Sequence, residues 1–501
     1  MGIKAALSLP YAKYTLRRNR KWIDHPLESQ QKVFRQLIQQ GRKTKFGRDH
    51  GFVQIDSPKD FKEKVPVRDY EDLKDYFEAV RIGEESIVWP GKPIYLSKTS
   101  GTTSGAKYIP ITKESIPYHI KAARDSILNY IYRTKNTGFV NGKMIFLQGS
   151  PQLDYSEAIP TGRLSGIVAH HVPAYLQRNR MPSFAVNCLD DWEDKVEAIC
   201  QETLKEPMSL ISGIPPWVQM YFEKLIELSG KDNVKDIFPD FSLFIYGGVN
   251  YAPYRQNMER LIGRSVDSIE LYPASEGFIA YQDQEEGEGL LLLVDGGLFY
   301  EFIPVEEYGN EDARRLDLAE VELDKNYALV ISSNAGLWAY DIGDTVRFVS
   351  LNPFRIKVSG RIKHFTSAFG EHVIAEEVEQ AIAYINAKFS LDIKEFHLAP
   401  KIQVEEELPY HEWFIEFNGL PENMDVICEA LNAKMCGLNP YYNDLIEGKI
   451  LQNLKINSVH KGAFSRYMKS KGKLGGQNKL PRLANNREIA DQLIISSRSE
   501  V

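Results

Sequence analysis

The chain has 501 residues, of which 43% are hydrophobic and 26% are charged, and its net charge at pH 7 is −7. That length is too great for a single hydrophobic core, so we expect more than one folding unit. The negative net charge gives no reason to expect nucleic acid as a partner. No apolar run approaches the roughly eighteen residues that span a bilayer, and the basic residues near the N-terminus follow its apolar stretch rather than precede it. We therefore expect a cytoplasmic protein with no membrane partner.

The cysteines and histidines show no metal or redox pattern. Four cysteines stand apart from one another at positions 188, 200, 428 and 436, so we expect buried free thiols. His170 and His171 form the only histidine cluster, and two adjacent rings point to different faces, which disfavours a metal site.

The first elements along the chain are predicted to serve packing. Residues 24–41 are predicted to form a helix that begins at Asp24 or Pro26, with an apolar face of Val33, Phe34, Leu37 and Ile38. A proline-containing run at residues 65–67 is followed by an amphipathic helix capped near Asp69.

The most informative stretch is residues 97–107, which read Ser-Lys-Thr-Ser-Gly-Thr-Thr-Ser-Gly-Ala-Lys. Short apolar runs on both sides predict a strand, a tight loop and a second strand. Glycines let the backbone approach a ligand closely, hydroxyls add donors and Lys107 adds positive charge, so the stretch favours a phosphate-binding loop. A plain surface loop is the alternative. A Walker loop is excluded because Gly101 and Gly105 are four apart and no Ser or Thr follows Lys107.

Further elements are predicted between residues 113 and 226. They are an amphipathic helix over residues 113–133, a buried strand over residues 144–147 and a helix that opens near residue 212 and continues through Ile226. Trp217 in that last helix has two interpretations, part of an acyl-binding pocket or part of the core.

Residues 235–300 alternate short apolar runs with glycine-bearing turns, which predicts a mixed or parallel sheet. Two strands, at residues 242–245 and 268–271, lead into the polar segments 246–250 and 272–277. Open α/β sheets place ligands at such strand ends, although either segment alone could be a simple turn.

Asp344 follows Gly343 in the run 337–346, which suits a tight turn and also suits a carboxylate that binds both ribose hydroxyls. We place a domain boundary shortly afterwards, giving domains 1–361 and 362–501. The second domain alternates strands at 395–399 and 413–417 with helices at 422–435 and 437–446. Its basic segment 469–482 is either a solvated loop or a flexible arm that brings a lysine to a phosphate.

The order of these motifs resembles the auxin-responsive, Gretchen Hagen-type acyl acid amido synthetases and their bacterial relatives, in the adenylate-forming superfamily. The resemblance spans nearly the whole chain and rests on Val65-Pro66, the loop 97–107, the turn 246–249, Ser275-Glu276, Phe302-Ile303-Pro304, Tyr340 with Gly343-Asp344, and Gln477-x-Lys479-x-Pro481-Arg482. It implies an α/β fold with a large multi-sheet N-terminal adenylation domain and a small, mobile α+β C-terminal domain.

The resemblance also implies roles for single residues. The ATP phosphates are held by Thr99, Ser100, Gly101, Thr102 and Thr103, with Lys107 close by. Gly247, Gly248 and Val249 line the adenine or acyl side, and Tyr246 and Trp217 are further acyl candidates. The resemblance implies further nucleotide contacts for Tyr272, Ser275, Asp344 and Arg361. Glu276 is the implied magnesium ligand, Lys479 the catalytic lysine and Lys363 the hinge residue. The chain departs from the family pattern at Asp341, where arginine is common, and at Pro273-Ala274, where Gly-Ser is common.

The implied activity is ATP- and Mg2+-dependent conversion of a small carboxylic acid to an acyl-adenylate, followed by transfer to the amine of an amino acid or another amine. The alternatives are an acyl-CoA ligase with the same first step and a catalytically silent ATP-binding protein. We expect a monomer or weak dimer.

Overall fold

The computed structural model describes residues 3–99, 107–172, 177–189, 191–252, 254–362, 365–366, 371, 373–402, 407–447, 450–474 and 479–498. The chain packs as two compact units. The first consists of Met1–Gly213, Phe238–Gly248 and Val266–Val358, and the second of Ile214–Ile237, Val249–Ser265 and Ser359–Val501. The sequence did not suggest that two middle segments pack with the C-terminal part. The domain limits 1–361 and 362–501 stay a prediction.

The longer helices bury apolar side chains. In chain order they are α1 (Ile3–Ile23), α2 (Pro26–Gly41), α3 (Lys45–Asp49), α4 (Pro58–Lys64), α5 (Lys74–Arg81), α6 (Ile116–Thr134), α7 (Leu164–His170), α8 (Phe184–Asn187), α9 (Trp192–Thr203), α10 (Pro215–Ser229), α11 (Arg255–Ile262), α12 (Ala375–Phe389), α13 (Met424–Leu438), α14 (Pro440–Glu447), α15 (Ala463–Ser470) and α16 (Glu488–Arg498). Within the described ranges, no helix combines the length and apolar character needed to cross a membrane.

The strands are β1 (Tyr95–Thr99), β2 (Lys107–Ile111), β3 (Lys143–Phe146), β4 (Thr161–Gly162), β5 (Arg180–Met181), β6 (Met208–Ser212), β7 (Leu243–Gly247), β8 (Asp267–Ala274), β9 (Gly277–Gln282), β10 (Leu290–Leu292), β11 (Leu298–Pro304), β12 (Asn326–Ser333), β13 (Tyr340–Leu351), β14 (Phe354–Arg361), β15 (Phe365–Thr366), β16 (Val373–Ile374), β17 (Ile393–Lys401), β18 (Tyr410–Phe417) and β19 (Lys455–Val459).

The first unit is built on a large mixed sheet whose strand order is β11-β12-β13-β14-β10-β9-β8-β7-β6-β3-β5. The pairs from β5 through β3, β6 and β7 to β8 are parallel, whereas β8–β9 and β9–β10 are antiparallel. A small sheet of order β2-β1-β4 completes this unit. The predicted mixed sheet over residues 235–300 is confirmed except at α11, which lies within that range, and so are the two strands that flank residues 100–106.

Helix α1 was not predicted, since Pro10 interrupts its sequence pattern. The helix nevertheless runs through Pro10, because tertiary packing outweighs the local cost of a proline. Ala12 is fully buried in a cluster with Leu128, Leu210 and Ile269. Helix α2 matches its prediction, with Val33, Phe34, Leu37 and Ile38 buried.

The predicted cap at Asp69 requires a correction. Asp69 Oδ1 accepts hydrogen bonds from the amides of Glu71 and Asp72 and so forms a turn, and α5 begins only at Lys74. An aspartate that satisfies nearby backbone donors stabilises a turn as readily as a helix start, which explains the difference.

The C-terminal part of the second unit has the predicted α+β character. Strands β17, β18 and β19 form one sheet, antiparallel between β17 and β18 and parallel between β18 and β19. Its core includes Val378, Ile382 and Ile385 of α12 together with Trp413 of β18. All four cysteines are free, as predicted, but only Cys200 is buried, so the expected burial is wrong for Cys188, Cys428 and Cys436.

Candidate active site

The phosphate-loop candidate joins two paired strands. Thr99, at the end of β1, is the register partner of Lys107, at the start of β2. The two strands are antiparallel neighbours, so the ends of the candidate segment lie side by side. Ser100, Gly101, Thr102 and Thr103 lie outside the described residues, so their role stays a prediction.

Tyr70 supports the strand that carries Lys107. Its hydroxyl accepts a hydrogen bond of 3.0 Å from the amide of Tyr108, and Lys107 Nζ lies 5.7 Å from the centroid of its ring. The ring stacks on Phe77 of α5 at 5.1 Å. Burial raises the pKa of Tyr70, which keeps the hydroxyl protonated at neutral pH. The segment assigned to packing from its sequence therefore also positions the loop lysine.

Ser275 and Glu276 form the two-residue connection between β8 and β9, because Ala274 pairs with Gly277. Ser275 Oγ lies 2.8 Å from the Oγ of Ser97, which is fully buried on β1. This hydrogen bond joins the small sheet next to the phosphate-loop candidate to the turn that carries the proposed metal ligand. Two motifs separated widely in sequence thus meet in one place.

Asp344 contacts another predicted nucleotide-binding residue. The hydroxyl of Tyr272 on β8 donates to Asp344 Oδ2 over 2.7 Å, and both side chains are buried. Gly343 and Asp344 lie inside β13, so the structure does not show the tight turn considered for them, and the strand pairing with β12 is irregular there. Asp341 accepts hydrogen bonds from the amide of Gly343 at 2.8 Å and from the hydroxyl of Tyr308 at 2.5 Å, so the aspartate that departs from the family pattern stabilises this irregular part of the strand.

Glu276 lies near Tyr340, the first residue of β13. Burial raises the pKa of Tyr340 well above its ordinary value, and the negative charge of Glu276 is the next largest cause. The part of the chain that the structure describes holds no cluster of three or more His, Cys, Asp or Glu side chains suited to a metal. Mg2+ commonly takes one or two protein carboxylates and completes its shell with phosphate oxygens and water. A single glutamate, directly after the serine that contacts Ser97, fits that pattern.

Two glycines shape the end of β7. Gly247 pairs with Leu271, and a Cβ on it would lie 2.4 Å from the Leu271 carbonyl oxygen. Gly248 has a φ of +78°, which favours glycine. Tyr246 is buried and its ring stacks on Phe244 at 5.4 Å. The close approach of β7 and β8 explains the glycines, whereas their contacts with adenine or acyl group stay a prediction.

The remaining candidates belong to the second unit or lie outside the described residues. Trp217 is buried in α10, Val249 begins a segment of the second unit, and Arg361 ends β14. Lys479 is exposed. Lys363 lies outside the described residues. The roles of these five residues stay predictions.

Sequence reasoning gave no individual role to Ser97, Tyr70 or Tyr308. Ser97 could have been noticed as a hydroxyl inside a strand that leads into the loop. Nothing in the sequence distinguishes the two tyrosines, since their contacts depend on the tertiary arrangement.

Solved structures share this architecture. The chain matches a 2-hydroxyisobutyryl-CoA ligase in the postadenylation state with a TM-score of 0.61 and 13% identity, over 95% of this chain and 92% of that one. The fold is that of the adenylate-forming enzymes.

The match to an acyl acid amido synthetase is higher. AtGH3.15, solved in complex with 2,4-DB, matches with a TM-score of 0.79 and 17% identity, over 97% of this chain and 96% of that one.

Three family models match along the chain, for the GH3 family N-terminal domain at residues 15–183, the central domain at 291–361 and the C-terminal domain at 376–488. The chain belongs to the GH3 family. Among its relatives, the indole-3-acetic acid-amido synthetase GH3.3 of Arabidopsis thaliana is 23% identical over 93% of this chain and 91% of its own length. The jasmonoyl--L-amino acid synthetase GH3.5 of Oryza sativa subsp. japonica is 22% identical over 85% of this chain and 86% of its own length.

Proposed function

We propose that this chain is an ATP-dependent acyl acid amido synthetase. In the first half-reaction a carboxylate oxygen of the acid attacks the α-phosphorus of ATP, the bond to pyrophosphate breaks, and an acyl-adenylate forms. In the second half-reaction an amine nitrogen attacks the acyl carbon, AMP leaves, and the nitrogen loses a proton to give an amide. Both steps follow from the family and from the relatives named as amido synthetases.

One structural observation supports the first half-reaction most strongly. The hydrogen bond between Ser97 and Ser275 brings the strand entering the phosphate-loop candidate next to Glu276. The hydrogen bond from Tyr272 to Asp344 brings the proposed ribose carboxylate to the same β8 strand. The residues proposed for phosphate, metal and ribose binding thus lie on adjoining elements of the first unit.

These residues are proposed to act electrostatically, by stabilising charge in the transition state. Negative charge gathers on phosphate oxygens in the transition state, and donors fixed in advance stabilise it without reorganising. Loop amides, hydroxyls and Lys107 are the proposed donors in the first unit. Glu276 would hold Mg2+, which neutralises phosphate charge when bound. Lys479 is proposed, on its tail motif alone, to add a further positive charge.

Substrate classes are proposed from the relatives. Their names specify indole-3-acetic acid and jasmonoyl conjugation, and one solved relative holds 2,4-DB. We propose a small organic carboxylic acid and an amino acid as the two substrates of this chain.

Pyrophosphate exchange tests the first half-reaction. The protein is incubated with ATP, Mg2+ and labelled pyrophosphate, with and without each acid of a panel of aromatic, aliphatic and cyclic carboxylates. We expect label to enter ATP only when a suitable acid is present. Absence of exchange with every acid, in a protein that still binds ATP, would contradict the adenylating activity.

The second candidate is an acyl-CoA ligase, favoured by the structural match to a CoA ligase. Both activities share the adenylate, so the acceptor decides between them. Mass analysis of products formed with amino acids and coenzyme A offered together should detect an amide. Detection of a thioester alone would assign the chain to the second candidate.

A further inference from the structure

Arg482, which ends the tail motif of Lys479, is buried in the second unit with 8% of its surface exposed. Its guanidinium donates to Glu395 of β17 and to the hydroxyl of Tyr254, the residue before α11. Its Nε lies 3.7 Å from Oε1 of Glu379 on α12. Three elements from distant parts of the chain therefore converge on one side chain.

The cluster sets the one positive charge of Arg482 against the carboxyl groups of Glu395 and Glu379. Burial alone lowers the pKa of Arg482, but Glu395, Tyr254 and Glu379 together raise it, so the guanidinium stays charged. Burial raises the pKa of Tyr254, whose protonated hydroxyl donates onward to Glu395 Oε1 at 3.2 Å. The guanidinium also lies 4.5 Å from the ring centroid of Phe396. A planar guanidinium with this many partners has a fixed position and orientation.

The backbone around Arg482 is held just as firmly. The amide of Leu398 on β17 donates to the Arg482 carbonyl at 2.9 Å, and the amide of Ala484 donates back to the Leu398 carbonyl at 3.0 Å. The Pro481 carbonyl is 2.8 Å from His397 Nδ1. The tail is therefore bound along β17 from Pro481 onward, and Lys479 lies two residues before this point with an exposed side chain.

We propose that Arg482 is a positioning residue for Lys479, and that its buried cluster with Glu395, Tyr254 and Glu379 fixes the point from which the lysine reaches the reacting phosphates. The inference rests on the proposed function, which gives Lys479 its part in adenylation. A guanidinium that only stabilised the second unit would contribute to folding and leave the chemical step alone. The two roles make different predictions.

Arg487 provides a matched control five residues further along. Its Nη2 donates to Glu412 Oε2 at 2.6 Å and its Nη1 donates to the Pro400 carbonyl at 3.1 Å, so it also joins the tail to the β17–β18 sheet through a largely buried ion pair. It differs from Arg482 in lying further from Lys479 along the chain. Arg487→Lys therefore disturbs packing in the same unit without moving the proposed anchor.

The experiment compares Arg482→Lys, Tyr254→Phe and Arg487→Lys in the full chain. Carboxylate-dependent pyrophosphate exchange reports the first half-reaction, amide formation from supplied acyl-adenylate reports the second, and Tm reports stability. Because displacing a catalytic group by about 1 Å costs up to about 100-fold, we expect Arg482→Lys to lower kcat of exchange by about tenfold or more. For Arg482→Lys, we expect the KM for ATP and the rate of the second half-reaction to stay within about twofold of wild type. For the control Arg487→Lys, we expect exchange to stay within the same range. Tyr254→Phe keeps every charge and should show a smaller loss in the same direction.

Combination with Lys479→Arg, which keeps a positive charge and therefore measurable exchange, gives the decisive readout. If Arg482 acts through Lys479, exchange by the double variant Arg482→Lys/Lys479→Arg equals that of Lys479→Arg alone. The positioning role is overturned if the losses of exchange in the two single variants multiply in the double variant. It is also overturned if Arg482→Lys and Arg487→Lys lose exchange equally at equal loss of Tm. Either result leaves the proposed function standing. Wild-type exchange by Lys479→Ala overturns the assignment of the lysine and the inference with it.

Discussion

Tyr272 and Asp344 are joined by a hydrogen bond of 2.7 Å although β8 and β13 are not neighbours in the large sheet. The strands β9, β10 and β14 lie between them in the sheet order. In a flat sheet, four strand spacings of about 4.8 Å would separate them by about 19 Å. The sheet must therefore curl so that β8 and β13 approach each other. That curvature creates the proposed ribose site.

Tyr272→Phe tests whether this contact serves nucleotide binding. The hydroxyl donates to a buried carboxylate, and such charge-assisted hydrogen bonds contribute about 1.5–3 kcal/mol, so we expect the KM for ATP to rise by about tenfold or more. The measurement is pyrophosphate exchange as a function of ATP concentration.

Tyr130→Phe is the control for Tyr272→Phe. Tyr130 is also buried in the first unit, and its hydroxyl donates to Asp267 Oδ2 at 2.5 Å. We expect the control to lower stability and leave the KM for ATP unchanged. An equal rise of KM in both variants would show that the effect of Tyr272→Phe comes from general destabilisation.

The hydrogen bond between Ser97 and Ser275 predicts energetic coupling between the phosphate-loop strand and the turn of Glu276. In a double-mutant cycle of Ser97→Ala and Ser275→Ala, we expect a coupling energy of about 1 kcal/mol in kcat/KM for exchange. Ser209→Ala serves as control, because Ser209 is a buried serine whose hydroxyl donates to the Phe139 carbonyl at 2.8 Å. If Ser97→Ala couples to the control Ser209→Ala as strongly as to Ser275→Ala, the link between the two motifs is not specific.

Sequence patterns predicted the strands around the phosphate-loop candidate, the helix α2 and the strand that leads into Ser275, because periodicity and turn residues act over a few positions. They could not predict that Ser97 meets Ser275, since that contact spans 178 positions and depends on how two sheets pack. The same limit applies to α10 and α11. The sequence predicted a helix for α10, whereas α11 lies in a range predicted to form strands and turns. Long-range contacts such as that of Asn257 with the Ile393 carbonyl place these helices in the second unit.

Lys479→Ala should abolish exchange while ATP binding is largely kept, because the proposed role of the lysine is to stabilise charge that develops in the transition state. Exchange measures the chemical step, and calorimetric titration with ATP in the absence of acid measures binding. Lys473→Ala is a suitable control, since Lys473 is an exposed lysine of the same basic segment. Exchange at the wild-type rate in Lys479→Ala, or an equal loss in Lys473→Ala, would contradict the specific role of Lys479.

His119 on α6 predicts a pH dependence of stability that is separate from catalysis. Its side chain is 4% exposed, and burial lowers its pKa from 6.5 to about 4. Between these values the unfolded chain binds a proton that the folded chain does not, so the free energy of unfolding falls as the pH falls from about 6.5 to about 4. A difference of about 2.5 pH units corresponds to a loss of about 3 kcal/mol when the decline is complete.

Replacement by glutamine, which cannot be protonated in this range, should remove that part of the decline. We expect the urea midpoint of His119→Gln to depend less steeply on pH than that of the wild-type protein between about pH 6.5 and pH 4.5. His25→Gln is the control, because the His25 side chain is 62% exposed and its replacement leaves the buried imidazole in place. If His119→Gln and His25→Gln retain the same slope as the wild-type protein, protonation of the buried imidazole does not contribute to acid unfolding.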